Sequence, residues 1–169
     1  MKHLIFLFLL TIFSVITFAQ DYNTIIIDEE SEKPMLIGYC TREAFDDTSF
    51  SSWWNEEYEM YQVDVETADQ LINSWDNVEI TLVMSTWCSD SRREVPRFYK
   101  IVDEFGYSSE NVHLINVNRE MVGLVDEVDG LEIHFVPTFI FYRNDEEIGR
   151  IVEMPFDSLE KDMLEIVKN

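Results

Sequence analysis

The hydrophobic pattern changes period within the stretch from Ile80 to Phe105, ITLVMSTWCSDSRREVPRFYKIVDEF. Ile80 to Met84 is a short β-rich run without alternation, the pattern of a strand covered on both faces in a mostly parallel sheet. After Trp87 the apolar positions Val95, Phe98, Tyr99, Val102 and Phe105 fall at helical spacing, and Gly106 stands where a left-handed C-cap ends a helix. A core strand therefore runs into a helix, with Cys88 at or near its first turn.

Downstream, Val112 to Val117 reads as the next strand, and a strand, helix, strand order implies a parallel pair with a right-handed crossover. Met121 to Val128 predicts a weak helix, broken by Gly123 and closed by Asp129-Gly130. Thr138 to Tyr142 and Glu147 to Glu153 predict an antiparallel hairpin turning at Asn144-Asp145. Asp157 with Glu160 resembles a capping box for a last helix that turns Leu159, Met163, Ile166 and Val167 inward.

Upstream, Phe50, Trp54, Tyr58 and Tyr61 line one helical face while Glu56, Glu57 and Glu59 line the other. Core packing is the expected role of that stripe, with an exposed peptide anchor at Trp53 and Trp54 as the alternative. Asp64 is placed to cap a helix carrying Ala68, Leu71, Ile72 and Trp75. Met35 to Tyr39 is a short apolar run ending at Cys40, and Ile25 to Ile27 is an edge strand or a linker. The class is α/β: a central mixed sheet with helices on both faces, preceded by a mostly helical N-terminal extension. The expected organisation is an extension over 20–77 packing on a domain over 78–169.

Residues 1–19 are expected to lie outside the fold. Lys2 supplies a positive start, Leu4 to Phe18 is almost unbroken apolar sequence, and Thr17-Phe18-Ala19 is a fair cleavage site before Gln20, which together describe an export signal. The run is short of the roughly 20 residues that span a bilayer. The expected location is outside the cytoplasm, in a bacterial periplasm or cell envelope, where the redox state of a cysteine is not reduced by default. With 12 basic against 34 acidic residues, nucleic acid, DNA included, and anionic membrane surfaces are not expected partners. Without a Cys/His cluster at ligand spacing, no metal or other cofactor is expected.

Cys88 carries the chemistry. Unpaired N–H groups in a first helical turn, together with the helix dipole, favour a negative charge by about 0.3 to 1 kcal/mol, so a thiol there ionises more readily than a free one. Asp90 opposes the thiolate while Arg92 and Arg93 support it. The alternative is a small apolar cysteine closing a core.

The motif Trp87-Cys88-Ser89-Asp90-Ser91, followed by Pro96 and later by Val136-Pro137-Thr138, resembles the thioredoxin family over roughly Val78 to the end. The resemblance implies a thioredoxin-like fold, a nucleophilic Cys88, a cis Pro137, and a substrate-binding surface made by Trp87, Val136, Pro137 and Thr138 in which the Val136 backbone faces Cys88 and offers hydrogen bonds to an extended peptide. The sequence departs from the family at two positions. Ser91 stands where the resolving cysteine belongs, and Leu82 where many thioredoxins carry a buried carboxylate. A serine can hydrogen-bond a thiolate but cannot resolve a mixed disulfide, so Cys40, the other cysteine of the chain, is the candidate resolving residue, the alternative being a Cys40 buried at a strand end. His134 lies close enough in sequence to reach the site, although a surface position is the commoner one for a lone loop histidine.

The leading functional expectation is an exported thiol-disulfide exchange protein acting on protein or small-molecule disulfides with a thiol reductant or redox partner protein. A redox-inactive binding module on the same scaffold is the alternative, and a peroxide-reducing or metallochaperone relative is less supported. The sequence does not give the oligomeric state.

Overall fold

The computed structural model describes residues 22–168. The expected signal over 1–19 lies outside the described residues.

Six strands form one sheet: β1 (Thr24–Ile27), β2 (Pro34–Cys40), β3 (Val78–Met84), β4 (Val112–Asn116), β5 (Thr138–Arg143) and β6 (Glu146–Val152). Their order across the sheet is β1-β2-β4-β3-β5-β6, with β3 and β4 parallel and every other neighbouring pair antiparallel. Four α-helices accompany them: α1 (Ser51–Met60), α2 (Val65–Ile72), α3 (Ser89–Glu104) and α4 (Leu159–Lys168). The order β3-α3-β4 is the crossover unit read from the sequence. The β5–β6 hairpin turns at Asn144 and Asp145, whose φ values of 53° and 64° suit a two-residue turn with both central residues left-handed.

The region before residue 78 differs from its expectation. It supplies α1 and α2, but also two of the six strands, and β2 pairs directly with β4 through Gly38–Asn116, Tyr39–Ile115 and Cys40–Leu114. One core joins Leu36, Phe45 and Trp54 from this region to Val95, Phe98, Tyr99 and Phe139 from the rest, so residues 22–77 are built into the sheet. The Phe45 and Trp54 rings stack at 4.0 Å, and Trp54 meets Tyr99 of α3 at 5.4 Å. The aromatic stripe is thus core packing. Trp75, expected on α2, follows the end of that helix and still buries its ring against Phe105, Tyr107 and Phe141.

The helices gather on one face of the sheet. Val78, Ile80, Leu82 and Met84 of β3 share a single apolar cluster with residues of all four helices, whereas Val83, Ile115, Val117 and Val136 belong to a separate cluster on the opposite face. That second face is covered by the connection 117–137, through Met121, Val128, Leu131 and Ile133. The helix expected over Met121 to Val128 does not form. Asn118 Oδ1 accepts from the N–H groups of Glu120 and Val122, the Glu127 carboxylate accepts from Val125 N, and Met121 has a φ of 61°. Such local side-chain bonds compete with helical ones, and Gly123 adds no propensity to resist them. Coil covers only part of the face, so β3 alternates in its first half, with Glu79 exposed and Thr81 half-buried, and is closed on both faces from Leu82 to Met84.

Caps follow the sequence at α2 and shift at α4. Asp64 accepts from Thr67 N at 3.2 Å and from Thr67 Oγ1 at 2.8 Å. At α4 the capping oxygen is Ser158 Oγ, which accepts from Lys161 N at 3.3 Å, while Asp157 pairs with Lys161. Glu160 turns inward instead, accepting from Tyr61 O–H at 2.9 Å and Asp64 N at 3.1 Å. A buried carboxylate with two such donors is committed to the core and unavailable as a cap.

Candidate functional site

Leu82 to Met84 end β3 inside the core, and the chain then turns through Ser85, Thr86 and Trp87 before α3 begins. Cys88 is the N-cap of α3: its backbone is extended (φ −82°, ψ 127°), Cys88 N donates to Ser85 O at 3.2 Å, and Arg92 N donates to Cys88 O at 3.1 Å. The side chain is half-buried, beside Trp87 in the cluster on the coil-covered face.

Opposite stands the segment that enters β5. The Val136–Pro137 peptide bond is cis, and the Cys88 thiol donates to Val136 O at 3.1 Å. Thr138 Oγ1 donates to Phe135 O at 2.7 Å, which ties the next residue back across the turn. Val136, Pro137 and Thr138 are all buried. The structure therefore brings Trp87, Cys88, Val136 and Pro137 together, and the Val136 backbone, expected to face Cys88, presents its carbonyl to that thiol.

Ser91 is placed differently from its expected role. It is fully buried, and its Oγ accepts from Ser85 N at 3.2 Å, closing the loop that leads into α3. Pro96 lies within α3 and leaves the Arg92 carbonyl without an i+4 N–H partner. Arg92 donates from Nε to Thr86 O and holds its guanidinium 5.6 Å from the Trp53 ring. Burial lowers the pKa of that guanidinium, and the negative charge available at Cys88 opposes the change. Arg93 is engaged elsewhere, bridging Asp90 at 2.9 Å and Glu94 at 2.6 Å.

Cys40 is not brought to Cys88. It belongs to the helix-side core, and its register partner Leu114 pairs in turn with Leu82. Two strand spacings, about 10 Å, separate Cys40 from β3, on the face opposite Cys88. Both cysteines are free thiols. Burial pushes the Cys40 thiol up to about 12, and its hydrogen goes to Gly38 O at 3.6 Å. His134 is exposed in a groove of about 570 Å³ shared with Phe135, Thr138 and Arg150, with no hydrogen bond to Cys88. His113 is exposed on β4. Among the described residues no three His, Cys, Asp or Glu side chains cluster as metal ligands, and no helix is long and apolar enough to cross a membrane.

A cis-proline opposing a cysteine at the start of a helix, between a parallel strand pair and a terminal hairpin, decides the architecture. The fold is thioredoxin-like. Thioredoxin-like protein R548 of Acanthamoeba polyphaga mimivirus is 30% identical over 81 residues, which cover 48% of this chain and 56% of that protein. The match thus spans little more than half of that relative's length. A Pseudomonas aeruginosa protein of unknown function superposes with a TM-score of 0.52 at 13% identity, over 70% of this chain and 83% of that one. Oxidised thioredoxin O2 from Arabidopsis thaliana gives a TM-score of 0.34 at 18% identity, over 53% and 74%. No family model matches the chain.

The thioredoxin-like core carries one feature that sequence reasoning missed. The Arg119 guanidinium lies 5.0 Å from the centre of the Trp87 ring, and it grips Asp28 with two hydrogen bonds of 2.9 and 2.8 Å. Arg119 first and the Ser31 hydroxyl second hold the Asp28 carboxyl well below the usual carboxylate range. The partners are 91 residues apart, and no local pattern links them.

Proposed function

We propose that the protein is an exported thiol-disulfide exchange protein in which Cys88 is the nucleophile. The carrying observation is the pairing of a half-buried N-cap cysteine with the carbonyl before a cis-proline, 3.1 Å from its sulfur. The thiol loses its proton to solvent and the thiolate attacks one sulfur of a disulfide R–S–S–R. A Cys88–S–R bond forms as the S–S bond breaks, and R–S⁻ leaves. Return to the free thiol then requires a second thiol to attack the mixed disulfide, because Ser91 cannot do so and Cys40 lies on the other face. That thiol comes from a small reductant or a redox partner protein. Trp87 and the backbone of the cis-proline turn border the sulfur, and a protein or small-molecule disulfide is held there.

The test is intact-mass analysis after reduced protein meets 2-hydroxyethyl disulfide. One adduct is expected in wild type and in Cys40→Ala, and none in Cys88→Ser. An adduct at Cys40, or no adduct in wild type, would overturn the proposal. The absence of a nearby second thiol also favours a second reading, a binding module on this scaffold; equal, background-level reduction of insulin by wild type and Cys88→Ser would support it. Export from the cytoplasm by residues 1–19, to a periplasm or cell envelope, predicts a mature chain beginning at Gln20, read by N-terminal sequencing.

A further inference from the structure

Four carboxylates are buried among the described residues, those of Asp28, Glu94, Glu127 and Glu160, and three of them are compensated. Asp28 is gripped by Arg119, Glu94 pairs with Arg93 at 2.6 Å and faces Arg97 at 3.7 Å, and Glu160 accepts one hydrogen bond on each oxygen. Glu127 differs. It is 8% exposed, and its one donor among the described residues is Val125 N, 2.9 Å from Oε2. Arg119, the single lysine or arginine of the connection 117–137, is committed to Asp28 and Glu30. A carboxylate taken out of water without a counter-charge or a full set of donors is strongly disfavoured, so Glu127 is suited to a partner from outside the chain.

The fold holds this carboxylate in place. Gly38 and Gly123 cradle it, since a Cβ at Gly38 would lie 2.7 Å from Oε1 and one at Gly123 would collide with Oε2. The side chain borders a groove of about 300 Å³ between the sheet and the connection, with Tyr39 of β2, Thr81 of β3, His113 and Ile115 of β4, and Leu131. Burial first and the Glu127 charge second raise the pKa of the Tyr39 phenol, so the charge is felt inside the groove. His113 is exposed at its edge and makes no ion pair with Glu127. The Tyr39 hydroxyl and Thr81 Oγ1 also have no hydrogen-bond partner among the described residues.

One free carboxylate oxygen beside two hydroxyl oxygens matches a primary ammonium, which has three N–H donors and no acceptor. A guanidinium would need both carboxylate oxygens for its paired contact, and Oε2 is already held. A hard cation such as calcium takes about six to eight oxygens, more than one carboxylate and two hydroxyls supply. Ile115 and Leu131 suit a methylene stem, and the Tyr39 ring suits a cation. We infer that this groove is a binding site for a primary alkylammonium group, carried by a free alkylamine or by a lysine side chain of a partner polypeptide, with Glu127 as its counter-ion. The site is independent of the chemistry at Cys88.

The experiment titrates ¹⁵N-labelled full-length protein at pH 7 with n-butylammonium chloride and, separately, with 1-butanol, which has the same number of non-hydrogen atoms and no charge. n-Butylammonium should give saturable amide shifts over residues 38–39, 81, 113–115 and 125–131, with a Kd of about 1 to 10 mM. 1-Butanol should bind at least about tenfold more weakly. Glu127→Gln keeps an acceptor for Val125 N and should weaken n-butylammonium binding by about tenfold or more. Glu132→Gln, at an exposed acid of the same connection outside the groove, should leave it unchanged. Thr81→Val should weaken it by about fivefold, which keeps the site testable if Glu127→Gln does not fold. Equal affinities for amine and alcohol, shifts that grow without saturating, or equal losses in Glu127→Gln and Glu132→Gln would overturn the site. Nα-acetyl-lysine methylamide carries the same stem and charge: an affinity matching n-butylammonium assigns the site to lysine side chains of a polypeptide, and one at least about tenfold lower assigns it to free alkylamines.

Discussion

Alkylation of the two thiols separates them most sharply. Burial raises the Cys40 thiol from its ordinary 9.0 to about 12, so at pH 8 the thiolate is about a thousandfold scarcer than on an unhindered cysteine. Access lowers the rate further, since Cys40 is 4% exposed. Cys88 is half-buried, and its hydrogen bond to Val136 O leaves the sulfur at the surface of the cis-proline turn. Iodoacetamide at pH 8 with timed quenching, digestion and mass spectrometry reads each site separately. Cys88 should be modified in native protein while Cys40 stays unmodified over at least a hundred Cys88 half-lives, and both should react together in urea. Comparable native rates at the two positions would refute the argument, as would a Cys40 rate that rises on modification of Cys88. Either result would mean that the sulfur reaches solvent in the folded state and would restore it as a candidate resolving thiol.

The same displacement has a pH consequence. Above pH 9 the unfolded chain releases the Cys40 proton while the folded chain keeps it until about 12, so the unfolded state binds fewer protons and stability falls as pH rises. From pH 9 to 10.5 this is about 2 kcal/mol, measured as the urea-unfolding difference between wild type and Cys40→Ala, which should narrow by that amount. Gly38→Ala should cost about 2 to 4 kcal/mol, because φ is +75° and the new Cβ would lie 2.7 Å from Glu127 Oε1 and 3.0 Å from Leu124 Cβ; denaturant midpoints read it. Glu160→Ala removes the acceptor of Tyr61 O–H and Asp64 N and should cost about 3 kcal/mol by the same assay, against less than about 1 for Ser158→Ala at the neighbouring cap. Asp145→Gly should stabilise the hairpin by about 0.5 to 1 kcal/mol, since Asp145 occupies a left-handed turn position with φ 64°; an unchanged or lower melting temperature would contradict it.

The sequence by itself determined the strand into α3, the placement of Cys88 at its start, the Asp64 cap and the Asn144-Asp145 hairpin, because each is written in neighbouring residues whose periodicity or turn chemistry acts locally. The cis state of Pro137 came from resemblance, because the isomer is set by what the turn packs against. Only the tertiary structure decided that Ile25 to Ile27 and Met35 to Cys40 join the sheet, that coil replaces a helix over 121–128, and that Cys40 faces away from Cys88. Strand order and facing depend on which distant segments pair, and a single register, Cys40 to Leu114 to Leu82, settles the separation of the two thiols. The Asp28–Arg119–Trp87 contact belongs to the same kind: three residues from three segments, each ordinary in its own neighbourhood, meet because the sheet brings their strand ends to one edge.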